Sequence, residues 1–316
     1  MKGKKAGGIR LAVTGLVLLL ILVAVAVLPR WGRGVSSADL SRYDYRATRA
    51  LVAGTLRAAG AVARDGEGAF ARFRESPDDW VGLDSAYLYV YDLEGNNLYH
   101  GGYPQFVGKN LQDFHDLLGK QPCFLIAEQL TKQAEINPHG WIHYLWARPG
   151  WLEPSWKSSC NFLVTMPDGR RVYVGSGIDD SLPEREYFRI VVDEAAELIK
   201  AEGQKALARL HDSSGPFTIY DKGIFVLDRK GNVLLDPGFN ESWPRNLFRY
   251  RDLAGQTPWL SLSKKLDDDS SAWVIFLKQK GDKAIKEAIY GRRAVMDGEP
   301  VILGIICGLP EPAWMN

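Results

Sequence analysis

One segment of this 316-residue chain combines aromatic and cationic side chains at a spacing suited to binding a small molecule. In residues 140–148 (GWIHYLWAR), strand alternation places Trp141, His143 and Leu145 on one face, and Ile142, Tyr144, Trp146 and Arg148 on the other. Arginine can bind a carboxylate through two parallel hydrogen bonds, and Tyr and Trp add apolar walls with polar tips. The second face therefore predicts a small-anion site. The alternative is a half-buried strand whose Arg148 reaches out to water.

Catalytic and metal-binding patterns are missing from the sequence. It contains no G-x-S-x-G elbow, P-loop, H-E-x-x-H motif or G-x-G-x-x-G after a strand. His139 and His143 are four residues apart, which suits a metal on a helix, but Gly140 and the strand pattern argue against one. The acidic run at residues 267–269 is typical of a solvated loop. We therefore expect no enzymatic activity, no cofactor and no metal.

The composition indicates a globular protein with an uneven distribution of charge. Hydrophobic residues make up 46% and charged residues 24%, and the length leaves room for about two domains. The 39 basic and 38 acidic residues give a net charge of +1, without the basic excess typical of nucleic-acid-binding proteins. Residues 1–34 hold six basic residues and no acidic ones, so residues 35–316 have a net charge of −5.

The basic head contains a membrane signal. Residues 11–28 form an uncharged run of 18 residues, about 27 Å long as a helix, with basic residues on both sides. We favour an uncleaved signal anchor with a cytoplasmic N-terminus in the cell membrane. The alternative is a signal peptide cleaved after residues 24–26 or 36–38, giving a secreted protein. Both place residues 35–316 outside the cytoplasm. We find no second such run and expect no cytoplasmic output domain, so signalling would need a membrane partner.

Three cysteines leave two alternatives open. No C-x-x-C motif is present. In an oxidising compartment Cys123 and Cys160 are the more plausible disulfide pair, because both fall in the first half of the chain. The other alternative is three unpaired, buried cysteines, including Cys307.

An internal repeat organises the exported part. Residues 88–98 (LYVYDLEGNNL) align with residues 224–234 (IFVLDRKGNVL) at an offset of 136, and each predicts a β-hairpin. Further matches follow in the same order: Asn110-Leu111 with Asn246-Leu247, Asp116-Leu117 with Asp252-Leu253, Trp141 with Trp273, and Lys157 with Lys286. We predict two α+β modules, at residues 35–183 and 184–316. Each has a long helix, at about 38–74 and 184–211, followed by an antiparallel sheet.

The repeat unit resembles the Cache family of extracytoplasmic sensor domains, specifically the single Cache type 2, here in tandem. The segments that carry the resemblance are YLYVYDLEGNNLYH, VGKNLQDFHDLLGK, GWIHYLWARPG, Lys157 and the closing YVGSGI. The resemblance implies a PAS-like fold whose sheet and covering loops enclose a pocket for a small molecule, commonly a carboxylate or an amino acid. It also implies a binding role for Lys157 as a second cation.

Only the first repeat retains the full set of candidate ligand-binding residues. The candidates are Tyr144, Trp146, Arg148, Lys157, Tyr89 and His100. Tyr89 fits the pocket or the core equally well, and His100 fits the pocket or ordinary packing. The second repeat has Phe276, Lys278 and Lys280 where the first has Tyr144, Trp146 and Arg148, which favours a structural or membrane-spacing role.

The sequence therefore predicts a membrane-anchored, extracytoplasmic sensor for an organic acid or amino acid, with a possible homodimer through the long N-terminal helix. The alternative is a non-sensing accessory or structural ectodomain of an envelope or transport complex.

Overall fold

Two antiparallel sheets follow one another along the chain in the computed structural model, which describes residues 40–84, 86–236 and 243–308. The apolar run at residues 11–28 lies outside this range. Within the described residues, no helix combines the length and apolar character needed to cross a membrane. The predicted anchor therefore stays a prediction.

Both modules have the same succession of elements. The first contains α1 (Arg46–Asp65), α2 (Ala69–Glu75), β1 (Tyr89–Asp92), β2 (Asn97–His100), α3 (Pro122–Lys132), β3 (Ile142–Ala147), β4 (Pro154–Thr165) and β5 (Arg171–Asp179). The second contains α4 (Arg185–Glu202), α5 (Ala206–His211), β6 (Ile224–Leu227), β7 (Val233–Leu235), α6 (Pro258–Asp268), β8 (Ser271–Lys280), β9 (Lys283–Met296) and β10 (Glu299–Cys307). The strand orders β2-β1-β5-β4-β3 and β7-β6-β10-β9-β8 are equivalent. The predicted α+β class and the two-sheet arrangement are thus confirmed.

Each long helix is interrupted at the same place. Gly66 ends α1 with φ +55°, and Gly203 ends α4 with φ +59°; one 3₁₀ turn then leads into α2 or α5. A Cβ at Gly203 would lie 1.9 Å from Asp297 Oδ1, and Gln204 N donates to Asp297 Oδ2 at 2.9 Å. The long helix predicted for each module is therefore divided in two at a glycine with positive φ, and in the second module the approaching β9–β10 turn leaves no room for a Cβ there.

The repeated D-x-x-G-N sequence forms the turn between the first two strands of each sheet. Asp92 Oδ1 accepts hydrogen bonds from the backbone N–H groups of Glu94 and Asn96, at 3.0 and 2.8 Å. Asp228 does the same in the second module with Lys230 and Asn232, both at 2.8 Å. Both are Asx-turns, in which the aspartate side chain accepts hydrogen bonds from backbone N–H groups in place of a backbone carbonyl.

A covering segment, residues 101–121, crosses the first sheet and is fixed to it by side chains. Asn110 Nδ2 donates to Glu94 O in the hairpin turn at 2.8 Å. Asp116 Oδ1 accepts from Lys120 N at 2.9 Å, and its Oδ2 accepts from Leu145 N on β3 at 2.9 Å. In this way the segment is joined to both edges of the sheet.

The second module repeats these attachments. Asn246 Nδ2 donates to Lys230 O at 2.9 Å, and Asp252 Oδ2 accepts from Leu277 N on β8 at 3.1 Å. The Asn-Leu and Asp-Leu matches of the sequence repeat therefore mark equivalent hydrogen bonds.

The two modules meet through buried residues on the helix side of the first sheet. Tyr187 of α4 packs against Trp141 and His143 of β3, with ring centroids 4.6 and 4.7 Å apart. Lys120 is fully buried and donates from Nζ to His143 O and Thr218 O, each at 2.8 Å. One ammonium group therefore ties β3 to the second module.

A single bulky side chain fills the core of the second module. Trp259 is fully buried at the start of α6 and contacts Phe225, Trp243, Tyr250 and Phe276. The equivalent position at the start of α3 holds Cys123, which is far smaller. The space between sheet and covering segment is thus filled by an indole in the second module.

Replacing Trp259 by alanine should strongly destabilise the protein. We expect a loss of about 3–5 kcal/mol in the free energy of unfolding, because the site cannot collapse around so large a void. The matched substitution Cys123→Ala should cost at most about 1 kcal/mol. Urea unfolding measures both, and added indole should raise the Tm of the Trp259 variant alone. Equal losses for the two variants would contradict this assignment.

Stability should decrease as the pH rises because of Glu194. Burial raises the pKa of this glutamate from 4.5 to about 8, and the nearby Asp193 charge adds to the increase. Hydrogen bonding to Asn137 and Gln129 acts in the opposite direction and lowers the pKa. The folded protein holds a proton that the unfolded chain releases, so stability is lost between about pH 4.5 and 8.

Glu194→Gln should remove this loss, which we expect to be on the order of 2–4 kcal/mol between pH 5 and 8. Unfolding free energies measured at both pH values check it. Glu197→Gln, an exposed glutamate on the same helix, is the control and should behave like the wild type. The same pH loss in the Glu194 variant would show the idea to be wrong.

Candidate functional site

The two faces of β3 have the composition predicted from strand alternation. Ile142, Tyr144 and Trp146 face the covering segment. Trp141 and His143 face the opposite side, where Trp141 Nε1 donates to the Tyr43 hydroxyl at 2.7 Å.

An aromatic cavity lies between the first sheet and its covering segment. Its walls are Tyr87, Tyr89, Tyr91, His100, Pro122, Cys123, Ile126, Tyr144, Trp146 and Tyr173. Four of the six candidates therefore come together here: Tyr89, His100, Tyr144 and Trp146. The cavity measures about 20 Å³, room for about one water molecule. Seven of the ten wall residues carry aromatic rings, so packing between rings keeps the cavity small.

A second cavity of about 230 Å³ shares Tyr87 and His100 as a wall. The Tyr87 ring is closely packed there, since a Cβ at Gly102 would lie 2.7 Å from it. Tyr87 and His100 thus belong to the walls of both spaces.

Tyr89 belongs to both the core and the cavity wall. Its side chain is only 4% exposed, and its hydroxyl donates to Asn161 Oδ1 at 2.9 Å. A Cβ at Gly175 would lie 2.3 Å from the Tyr89 ring. The small residues of the closing GSG sequence on β5 therefore make room for this ring.

His100 is a neutral, aromatic part of the wall. Its Nδ1 accepts a hydrogen bond from Tyr103 N at 3.0 Å, which leaves the proton of a neutral ring on Nε2. Burial, with a smaller contribution from the Lys157 charge, lowers the pKa of His100 to about 3. His100 therefore offers a donor at neutral pH without adding a charge.

Lys157 lies behind Tyr87, in a row of side chains that crosses three strands. Tyr144 on β3 pairs with Lys157 on β4, which pairs with Asp179 on β5. Lys157 Nζ lies 3.2 Å from Asp179 Oδ1 and 4.5 Å from the centroid of the Tyr87 ring. Both charged side chains are at most 1% exposed. Burial lowers the pKa of Lys157, and the Asp179 charge opposes this shift.

Arg148 lies at the rim of the site rather than in the cavity wall. It forms an ion pair with Asp180, and its Nε lies 3.9 Å from Asp179 Oδ2. The guanidinium group is 5.8 Å from the centroid of the Trp151 ring, and the side chain is 27% exposed. The structure thus gives Arg148 carboxylate partners at the edge of the sheet.

Sequence reasoning missed several polar groups of this site. Among the described residues, four buried atoms of the site have no hydrogen-bond partner: Tyr87 OH, Tyr173 OH, Trp146 Nε1 and Asp179 Oδ2. Of these residues, only Trp146 was a candidate from the sequence. Trp146 Nε1 is near the Tyr87 hydroxyl without forming a hydrogen bond of normal geometry. Alternation along β5 from Gly175 and Gly177 would have put Asp179 on the pocket face. Tyr87 precedes β1 in a coil, where alternation gives no signal.

The Cys123–Cys160 disulfide considered from the sequence is wrong. Both thiols are free, and they lie on opposite faces of the sheet. Cys160 Sγ donates to Thr55 Oγ1 of α1 at 3.4 Å, whereas Cys123 packs in the cavity wall with Tyr173. Cys307 is also free and buried, as the second alternative predicted. In the described ranges, no group of three or more His, Cys, Asp or Glu side chains could hold a metal ion.

The equivalent site of the second module has different charges. Phe276 pairs with Glu287 as Tyr144 pairs with Lys157, so Glu287 is the counterpart of Lys157. The alignment of Lys157 with Lys286 is therefore wrong by one position. Lys278, in the place of Trp146, lies 3.6 Å from Glu287 Oε2. Where the first module has a lysine, the second has a carboxylate.

Comparisons with known proteins place the first module. Residues 53–181 match the family model for single Cache domain 2. A search of curated proteins gave no match. One similar solved structure is a periplasmic sensor domain of a chemotaxis protein, with 27% identity over 42% of this chain and 92% of that one and a TM-score of 0.35.

Two further structures cover similar shares of the chain. A methyl-accepting chemotaxis protein from Vibrio parahaemolyticus RIMD 2210633 shares 21% identity over 42% of this chain and 87% of that one, with a TM-score of 0.33. A Cache chemosensory domain described as recognising carboxylic acids shares 22% identity over 41% and 86%, with a TM-score of 0.32. The family match covers the sheet and the cavity wall of the first module, so this module is similar to a single Cache domain.

Proposed function

We propose that the first module, residues 35–183, is the extracytoplasmic sensor domain of a membrane-anchored receptor for a small carboxylate-bearing metabolite, an organic acid or an amino acid. Tyr89, His100, Tyr144, Trp146 and Lys157 would bind it, with Arg148 at the rim. The uncharged run at residues 11–28 would be the anchor.

The observation that carries this proposal is a set of buried donors without acceptors. Tyr87 OH and Trp146 Nε1 have no hydrogen-bond partner in the part of the chain that the structure describes. An unsatisfied buried polar group costs about 1–3 kcal/mol. The Lys157 ammonium has three N–H donors, and among the described residues its hydrogen-bond partner is Asp179. A carboxylate brings the acceptors that these groups lack.

Local cations must supply the attraction for such a ligand. Residues 35–316 carry a net charge of −5, so the overall field opposes an anion. Lys157 is almost fully buried beside the cavity, where a charge is weakly screened. Binding would therefore depend on short contacts.

Ligand entry would require the cavity to open. A space of about 20 Å³ holds about one water molecule and no organic acid. Displacement of Tyr87 would join this space to the neighbouring 230 Å³ cavity and bring a ligand within reach of Lys157. The change in shape that accompanies binding would be the signal, because a ligand stabilises the state it fits.

The second module, residues 184–316, would serve as a structural spacer. Trp259 fills its core, and Glu287 stands where the first module has Lys157. These two features favour the second candidate function, an accessory ectodomain of an envelope or transport complex, if the first module also binds nothing.

Removing the unpartnered donors should weaken ligand binding without harming the fold. Tyr87→Phe deletes one donor and keeps the ring, whereas Trp146→Phe deletes one donor and replaces the indole by a smaller phenyl ring. We expect the affinity for the ligand to fall about tenfold or more in both variants, and the Tm of the free Tyr87→Phe protein to stay the same or rise. Thermal shift and calorimetry on the full-length protein, with a panel of organic acids and amino acids, measure both.

Trp243→Phe is the matched control, because Trp243 Nε1 is a buried, unpartnered indole donor in the second module. That variant should bind like the wild type. No ligand in a broad panel would leave the accessory ectodomain as the better hypothesis, whereas equal affinities in all three variants would place the binding site elsewhere.

A further inference from the structure

We infer that the ligand carries a hydrogen-bond donor next to its carboxylate, as a 2-amino or 2-hydroxy acid does, and that Asp179 selects for it. This inference rests on the proposed function of the first module and narrows its ligand class.

The two Asp179 oxygens differ in their hydrogen bonds. Oδ1 accepts a hydrogen bond from Lys157 Nζ at 3.2 Å. Within the described ranges Oδ2 has no hydrogen-bond partner, and Arg148 Nε lies 3.9 Å from it. The Asp179 side chain is fully buried, so water does not reach this oxygen freely. A buried carboxylate oxygen without a donor is costly, and a ligand that brings one is correspondingly favoured.

Asp179 lies beside the cavity. It belongs to the cross-strand row that begins with Tyr144, a wall residue. Gly177 lies two residues before it, and a Cβ there would come within 2.9 Å of Lys157 Cε. Glycine at this position lets the lysine stem lie flat on β5, which brings its ammonium to Asp179.

The site combines several hydrogen-bond donors with one unpaired acceptor. Tyr87 OH, Trp146 Nε1 and Lys157 Nζ offer hydrogens to a carboxylate, while Asp179 Oδ2 needs one. A plain carboxylate has acceptors only. It would satisfy the donors but would leave Oδ2 unpaired and place a second negative charge beside it. A neighbouring hydroxyl group supplies the missing hydrogen bond, and a neighbouring ammonium group supplies it and also balances the second negative charge.

Matched ligand series on the full-length protein test this inference. The sets are acetate, glycolate and glycine; propionate, lactate and alanine; and succinate, malate and aspartate. In the set that binds, we expect the plain acid to bind about tenfold to a hundredfold more weakly than its 2-hydroxy or 2-amino analogue. Calorimetry gives the Kd values, and the two analogues show whether the donor is a hydroxyl or an ammonium group.

The outcomes separate this inference from the proposed function. If a plain acid binds as tightly as its analogues, the role of Asp179 is wrong and the carboxylate receptor stands. If no member of any set binds, both are wrong.

Asp179→Asn provides a second test. The amide keeps an acceptor for Lys157 but presents N–H groups in place of the free oxygen, so the preference for the donor-bearing acid should disappear. Asp180→Asn, at the exposed neighbouring carboxylate, is the control and should keep the preference. Unchanged selectivity in a folded Asp179 variant would overturn the inference; if that variant does not fold, the wild-type series decides.

Discussion

The hydrogen bond between the Asp116 carboxylate and the backbone of β3 is the constraint on which the site depends. The covering segment has little regular structure, and a free loop of about twenty residues would not hold a cavity shut. Asp116 Oδ2 accepts from Leu145 N at 2.9 Å, next to Tyr144 and Trp146 in the chain. The same carboxylate also orders its own turn through Lys120 N. One side chain therefore shapes the segment and fixes it above the binding face.

The second module shows what this frame determines and what it leaves open. Asp252 makes the equivalent bond to β8, and the strand order is the same. Below the covering segment, however, Trp259 replaces Cys123 and Glu287 replaces Lys157. Side-chain-to-backbone bonds preserve a fold without specifying its contents, because they involve none of the residues that face the cavity. The two modules thus share an architecture and differ in the chemistry they present.

Much of this could be predicted from the sequence, since repeats and strand alternation are local patterns. Alternation put Tyr144 and Trp146 on one face, and the internal repeat predicted two modules with an antiparallel sheet each. Pairing between strands is not local. Spacing along the sequence could therefore reveal neither the contact of Lys157 with Asp179 nor the equivalence of Lys157 and Glu287 in the two modules. The disulfide prediction failed for the same reason, because linear proximity does not tell which face of a sheet a cysteine occupies.

The attachments of the covering segment also connect the cavity to the second module. Lys120, four residues after Asp116, donates to His143 O on β3 and to Thr218 O beyond α5. Because its ammonium is fully buried, losing either acceptor would remove one of the two hydrogen bonds that compensate its charge in the interior. The segment therefore cannot move away from β3 to admit a ligand while Lys120 keeps both bonds unchanged. A displacement large enough to open the cavity must either break one of them or carry the 218 region along, and the second course preserves more hydrogen bonds. The same buried lysine thus links the covering segment, β3 and the second module directly.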